Sequence, residues 1–143
     1  MDNEFLIRFR GFTKGGLYML SQAIHHENAI LGAALQGTFA RHDAIMNNIA
    51  NADVPGFTAR RVEFESALTS AINNWRETGN LDLSMARPVT QFQEPFNTFR
   101  MDRSNVDMER EMVALYINSV RADVLVNSIL HNSRMLNTVL QGR

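Results

Sequence analysis

Apolar side chains recur at alternating spacings of three and four along the C-terminal part of the chain. Met108, Met112, Leu115, Ser119, Ala122, Val126, Ile129, Ser133, Leu136 and Leu140 form a heptad seam sustained over more than four repeats. Val113, Tyr116, Val120 and Leu130 widen one edge of it. No proline or glycine falls between Met101 and Gln141. The pattern predicts a helix from about Asn105 to Leu140, roughly 54 Å long at 1.5 Å per residue. Ser104 or Asn105 would cap it, Asp107 and Glu109 suit the first turn, and Gly142 lies past the end. A helix of that length belongs to a coiled coil or an assembly rather than to an ordinary globule.

A second seam with the same spacing runs through Ile24, Asn28, Leu31, Leu35, Thr38, His42, Ile45 and Ile49. It is weaker, because three of its members are polar and Gly32 and Gly37 lower helix propensity. Gly15-Gly16 marks its upstream limit. It runs out in Asn51-Ala52-Asp53-Val54-Pro55-Gly56, where proline followed by glycine is the chemistry of a type II turn. Val62 to Trp75 reads as a short helix carrying Val62, Phe64, Leu68, Ala71, Ile72 and Trp75. Arg76 to Arg103 has no clean period and reads as an extended loop with a short strand around Val89 to Phe92.

The expected fold is therefore all-α. Two long terminal helices pair as an antiparallel coiled-coil hairpin, joined by an irregular middle with a possible short helix or strand. The divisions are an N-terminal segment over residues 1–16, a helix and turn over 17–57, the middle over 58–104 and the C-terminal helix over 105–143. Two helices cannot cover all of their own apolar surface. Phe39, Met46, Val113, Tyr116, Val120 and Leu130 would lie off the seam, and surface of that kind implies association with copies or with similar helical proteins.

Composition removes several alternatives. A chain of 143 residues is one domain's worth, and a net charge of −1 gives no global attraction to nucleic acid or anionic membrane. No stretch reads as the ~18 consecutive apolar residues of a membrane span. Residues Met1 to Gly16 lack the apolar core of a cleavable leader, so export would use another route. With no cysteine, disulfide and cysteine–zinc chemistry are excluded.

No catalytic, cofactor or metal site emerges. Adjacent His25 and His26 point about 100° apart on a helix, and His42 has Met46 rather than a ligand four residues on. His42 reads instead as a seam residue hydrogen-bonded across the helix pair. Asp107, Glu109 and Glu111 complement a helix dipole without any catalytic role. There is no nucleophile elbow or phosphate loop, Arg60-Arg61 is too small a basic patch for nucleic acid, and Met108 and Met112 read as core filler. No small-molecule substrate is implied.

The most specific stretch is Asn47-Asn48-Ile49-Ala50-Asn51-Ala52-Asp53-Val54-Pro55-Gly56-Phe57. Three amides crowd one helix end, able to serve terminal carbonyls or to cross-link to a neighbour. The stretch resembles the N-terminal signature of the flagellar axial family of rod, hook and hook-associated proteins. Val54 stands where that family commonly has threonine, and Phe57 where it has tyrosine. Thr58 to Glu65, the run Ser104-Asn105-Val106-Asp107-Met108-Glu109-Arg110-Glu111-Met112 and the closing Leu125 to Ile129 resemble the proximal rod type in particular. The resemblance covers about Leu31 to Glu65 and Ser104 to Leu140.

That resemblance implies a non-enzymatic structural subunit of the flagellar basal body, part of the drive shaft for motility. It would be exported by the flagellar type III apparatus without leader cleavage and assembled in the periplasm. Implied partners are copies of itself, other rod proteins, the rod-to-ring adaptor, the inner-membrane ring and the export gate. Its assembly residues would be Leu31, Leu35, Ile45, Asn47, Asn48, Ile49, Asn51, Pro55, Gly56 and Phe57 on one side. On the other they would be Asn105, Val106, Asp107, Met112, Leu115, Ala122, Val126, Ile129, Leu136 and Leu140. Phe5 and Phe9 fit a pattern resembling the export-gate recognition element, although that pattern is short and common and an ordinary amphipathic turn explains them better. The competing function is a helical-hairpin binding module, such as an export chaperone or adaptor. A module of that kind is more often acidic and does not need the amide-rich turn.

Overall fold

The computed structural model describes residues 15–92 and 106–141. In chain order these form α1 (Gly15–Ala50), β1 (Arg60–Glu63), α2 (Glu65–Thr78), β2 (Val89–Phe92) and α3 (Met108–Gln141). The chain is mostly helical, with one small antiparallel sheet in which Arg60 faces Phe92 and Glu63 faces Val89.

α1 organises everything else because it has two buried faces. One carries the Ile24, Thr38 and Ile45 stripe and lies against α3. Two cross-helix bonds set the direction of that pair: Asn118 Nδ2 donates to the Thr38 carbonyl at 2.9 Å, and Asn132 Nδ2 donates to Asn28 Oδ1 at 3.2 Å. Higher numbers on α3 meet lower numbers on α1, so the helices run antiparallel. The other face carries Ile30, Ala33, Ala34, Gly37 and Ala44. It seats a core of Val62, Phe64, Leu68, Ala71 and Ala86 from the middle of the chain.

Three expectations about the middle change. Val62 is a strand residue, because Val62 and Phe64 turn inward while Arg61 and Glu63 turn out, a period of two rather than 3.6. α2 starts only at Glu65 and ends at Gly79, whose left-handed φ of 74° lets its N–H return to the Trp75 carbonyl at 2.7 Å. The stretch after Arg76 is not loose up to Phe92: Leu83 and Ala86 pack on the core, and β2 forms where a strand is expected.

α3 also departs from its predicted seam. Leu115, Ala122, Ile129 and Leu136 do face inward, half-buried. The column beside them is Glu111, Asn118, Leu125 and Asn132; of the expected column, Met112, Ser119 and Val126 are exposed and Ser133 is half-buried. Met112 is 60% exposed and Met108 is also exposed, so neither fills a core. The cause is polar. Asparagines 14 residues apart turn inward because α1 offers each an acceptor, and a rule that scores apolar positions passes over them. The helix starts at Met108, and Asp107 caps it by accepting the Arg110 N–H at 3.2 Å, in place of Ser104 or Asn105.

A candidate assembly surface

The amide-rich turn is built from the end of α1 downward. Asn48 is 1% exposed, and its amide both accepts from the Arg60 N–H at 2.8 Å and donates to the Arg60 carbonyl at 2.9 Å. A side chain thus supplies the two bonds that a neighbouring strand would. Arg41 serves the next inward position of β1, donating to the Val62 carbonyl at 2.9 Å. Together they close an edge of β1 that would otherwise be open to pairing. Asn51 Nδ2 donates to the Asn47 carbonyl at 2.7 Å, serving a helix-end acceptor. The Asn48 and Asn51 amides are therefore engaged within the chain.

The turn that follows has the expected chemistry. The Phe57 N–H bonds to the Val54 carbonyl at 3.2 Å, Pro55 and Gly56 lie between, and Gly56 has φ of 74°. It folds Ala52, Phe57 and Ala59 around Val106, which is buried just before α3. The two sequence stretches that carry the family resemblance are therefore in contact.

Arg41 and Phe64 lock the middle of the chain to α1. The Arg41 guanidinium grips Glu65 with two bonds of 2.6 and 2.7 Å and lies 4.9 Å from the Phe64 ring centre. Those bonds from Arg41 hold the Glu65 carboxyl below its usual range. The Phe64 ring rests directly on Gly37, where a Cβ would come within 2.4 Å of it. Neither Arg41, Gly37 nor Asn118 stands out in the sequence. The available signal for Asn118 is its spacing of two heptads from Asn132.

Between α1, β1 and α3 lies an open groove of about 410 Å³. Its floor includes Ala44, Ile45, Val62 and Ile117. Its walls carry Arg41, Arg60, Arg61, Arg110 and Arg121 against Glu63 and Glu111.

Outside the groove, Val113, Tyr116, Val120 and Val124 line the side of α3 opposite its seam, all exposed, with Tyr116 at 72%. Phe39, Met46 and Leu130 are exposed as well, as their off-seam positions imply. This face also makes Met108–Thr138 long and apolar enough, by length and composition alone, to cross a membrane, with a mean hydropathy of 1.3 in its richest window. That revises the expectation of no such stretch. The helix nonetheless carries Arg121 and Asp123 near its middle, each costing about 3 kcal/mol at a bilayer centre.

The residues expected to mediate assembly divide by burial. Ile45, Asn48 and Val106 are buried, and Leu31, Leu35, Asn47, Ile49, Asn51, Phe57, Leu115, Ala122, Ile129 and Leu136 are half-buried. Pro55, Gly56, Asp107, Met112 and Val126 are exposed. Phe5, Phe9, Asn105 and the Leu140 side chain lie outside the described residues. His42 is half-buried on α1, and among the described residues no group of three His, Cys, Asp or Glu side chains could hold a metal ion.

These features define a class: an elongated antiparallel helix pair, braced by a small middle unit, with a continuous apolar face left unpartnered. No profile of a known protein family matches the chain. Individual relatives do. Over 94 residues it is 37% identical to the flagellar basal body rod protein FlgB of Yersinia enterocolitica, covering 57% of this chain and 69% of that protein. Over 118 residues it is 34% identical to FlgB of Proteus mirabilis, covering 71% and 84%. Over 116 residues it is 27% identical to FlgB of Bacillus subtilis, covering 76% and 88%. The chain belongs to the FlgB family of flagellar basal body rod proteins.

Proposed function

We propose that this chain is a structural subunit of the proximal rod of the flagellar basal body, with no catalytic activity of its own. The observation that carries the reading is the exposed apolar face of α3 on a chain whose relatives are rod proteins. α1 and α3 wind as a coiled-coil hairpin in the assembled rod, and the two ends of the chain act as one assembly unit. The Val113–Tyr116–Val120–Val124 face is covered there by neighbouring subunits rather than by lipid, since Asn118 and Asn132 tie the opposite side to α1. Neighbours are copies of this chain and other rod proteins, with the rod-to-ring adaptor and inner-membrane ring at the base. The subunit reaches the periplasm through the export gate without leader cleavage, using Phe5 and Phe9.

A side-chain-resolution map of the basal body from the bacterium that carries this chain tests the proposal. The chain should lie in the proximal rod with the α3 face against another subunit. A basal body complete without it would refute the proposal. For the export element, deletion of Met1 to Arg10 should block secretion while purified protein still assembles, and normal secretion of the deletion would remove that part.

A further inference from the structure

Two surfaces of α1 that its intrachain packing leaves over complement each other. At 100° per residue, Phe39, Asp43 and Met46 fall within about 60° around the helix axis. All three are exposed, giving an apolar–acidic–apolar ridge, and among the described residues nothing pairs with the Asp43 carboxylate. About 180° around the same helix, Arg41, Ala44 and Ile45 line the groove. The groove has the converse character: an apolar floor that includes Ile117, and a rim of five arginines against two glutamates. The Arg110 and Arg121 side chains on that rim are 86% and 59% exposed; Arg110 is paired with Asp107 at 3.1 Å and Arg121 stands 4.0 Å from Glu65, exposed ion pairs weak enough to be exchanged for an incoming carboxylate.

The geometry points to a head-to-tail contact in which the Phe39–Asp43–Met46 ridge of one copy seats in the arginine-rimmed groove of the next. This rests on the rod-subunit reading and names the surfaces through which copies join. Asp43 meets Arg110 or Arg121, and the flanking apolar side chains cover Ile117. Ridge and groove lie on opposite faces, so a copy that donates its ridge still offers its groove. Such a contact is heterologous and propagates instead of closing into a symmetric pair. A symmetric ridge-to-ridge contact would instead set Asp43 against Asp43, a like-charge pairing that costs free energy.

The chain has no cysteine, so an introduced pair reports on this contact alone. In basal bodies isolated from cells carrying Met46→Cys with Ile117→Cys, mild oxidation should give disulfide-linked dimers and higher multimers of this chain. Cells co-expressing the two single variants should give dimers and nothing larger, and neither single variant alone should give any. Adding Asp43→Arg to the double variant should cut the ladder at least tenfold. Helical circular dichroism checks the fold of each purified variant, and Ala114→Cys on the same wall replaces Ile117→Cys should that one fail to fold. A chain present in the basal body without a ladder would overturn the inference and leave the rod reading standing. Dimers from Met46→Cys alone would also overturn it, by revealing a symmetric ridge contact. Absence of the chain from basal bodies would overturn the rod reading itself.

Discussion

Two helical glycines should respond in opposite directions to the same substitution. Alanine is favoured over glycine inside a helix by about 1 kcal/mol, so propensity alone stabilises both Gly32→Ala and Gly37→Ala. At Gly32 nothing lies within 4 Å of an added Cβ, and that gain should appear undiminished. At Gly37 the Cβ would stand 2.4, 2.5 and 2.6 Å from three atoms of the Phe64 ring. Ordinary carbon contact begins near 3.5 Å, so the ring must retreat by about 1 Å.

The ring has little room to do so. Phe64 is buried, its near side is the contact itself, and the Arg41 guanidinium lies 4.9 Å from its centre. Overpacking of this kind costs about 1–3 kcal/mol, and expulsion of the ring forfeits a similar amount of burial. After the propensity gain of about 1 kcal/mol, Gly37→Ala should be destabilising by about 0–2 kcal/mol. Urea unfolding of the purified chain, followed by helical circular dichroism, measures both variants. The Gly32→Ala midpoint should rise and the Gly37→Ala midpoint should fall, and Phe64→Leu should recover part of the loss in the Gly37→Ala background. If Gly37→Ala stabilises as much as Gly32→Ala, the Phe64 ring does not rest on α1 and the docking of the middle unit is wrong.

Asn48→Ala should cost about 2 kcal/mol in the same unfolding assay, because it strands both the N–H and the carbonyl of Arg60 at a buried site; a loss below about 0.5 kcal/mol would show that β1 is held by other means. The Glu65 carboxyl is held below its ordinary value of 4.5, so the unfolded chain takes up its proton first as the pH falls. Its contribution is fully present above about pH 4.5, is lost as pH drops through the depressed folded value, and should vanish in Glu65→Gln. Because that side chain is 54% exposed the effect is small, and added salt should shrink it further. Leu115→Asp or Ile129→Asp puts a charge on the half-buried α3 seam and should abolish rod assembly, scored by motility and by basal-body composition. Assembly that survives either change would count against the α1–α3 pairing.

The sequence by itself determined the two long helices, the turn at Pro55-Gly56 and the apolar side chains that pairing leaves uncovered. These follow from local chemistry: heptad spacing, proline and glycine geometry, and an excess of apolar side chains over what two helices can bury. Tertiary structure alone decided which side of α3 turns inward. Asn118 and Asn132 gain from burial only because the Thr38 carbonyl and Asn28 stand across from them, a fact about a helix some 80 to 100 residues away in the chain. The same holds for Val62, read as helical until Asn48 and Arg41 supply the partners that make Arg60 to Glu63 a strand. Gly37 looks like a weakness in a helix until the Phe64 ring is placed on it. In each case the residue's own preference is weak, and a partner distant in sequence sets its conformation.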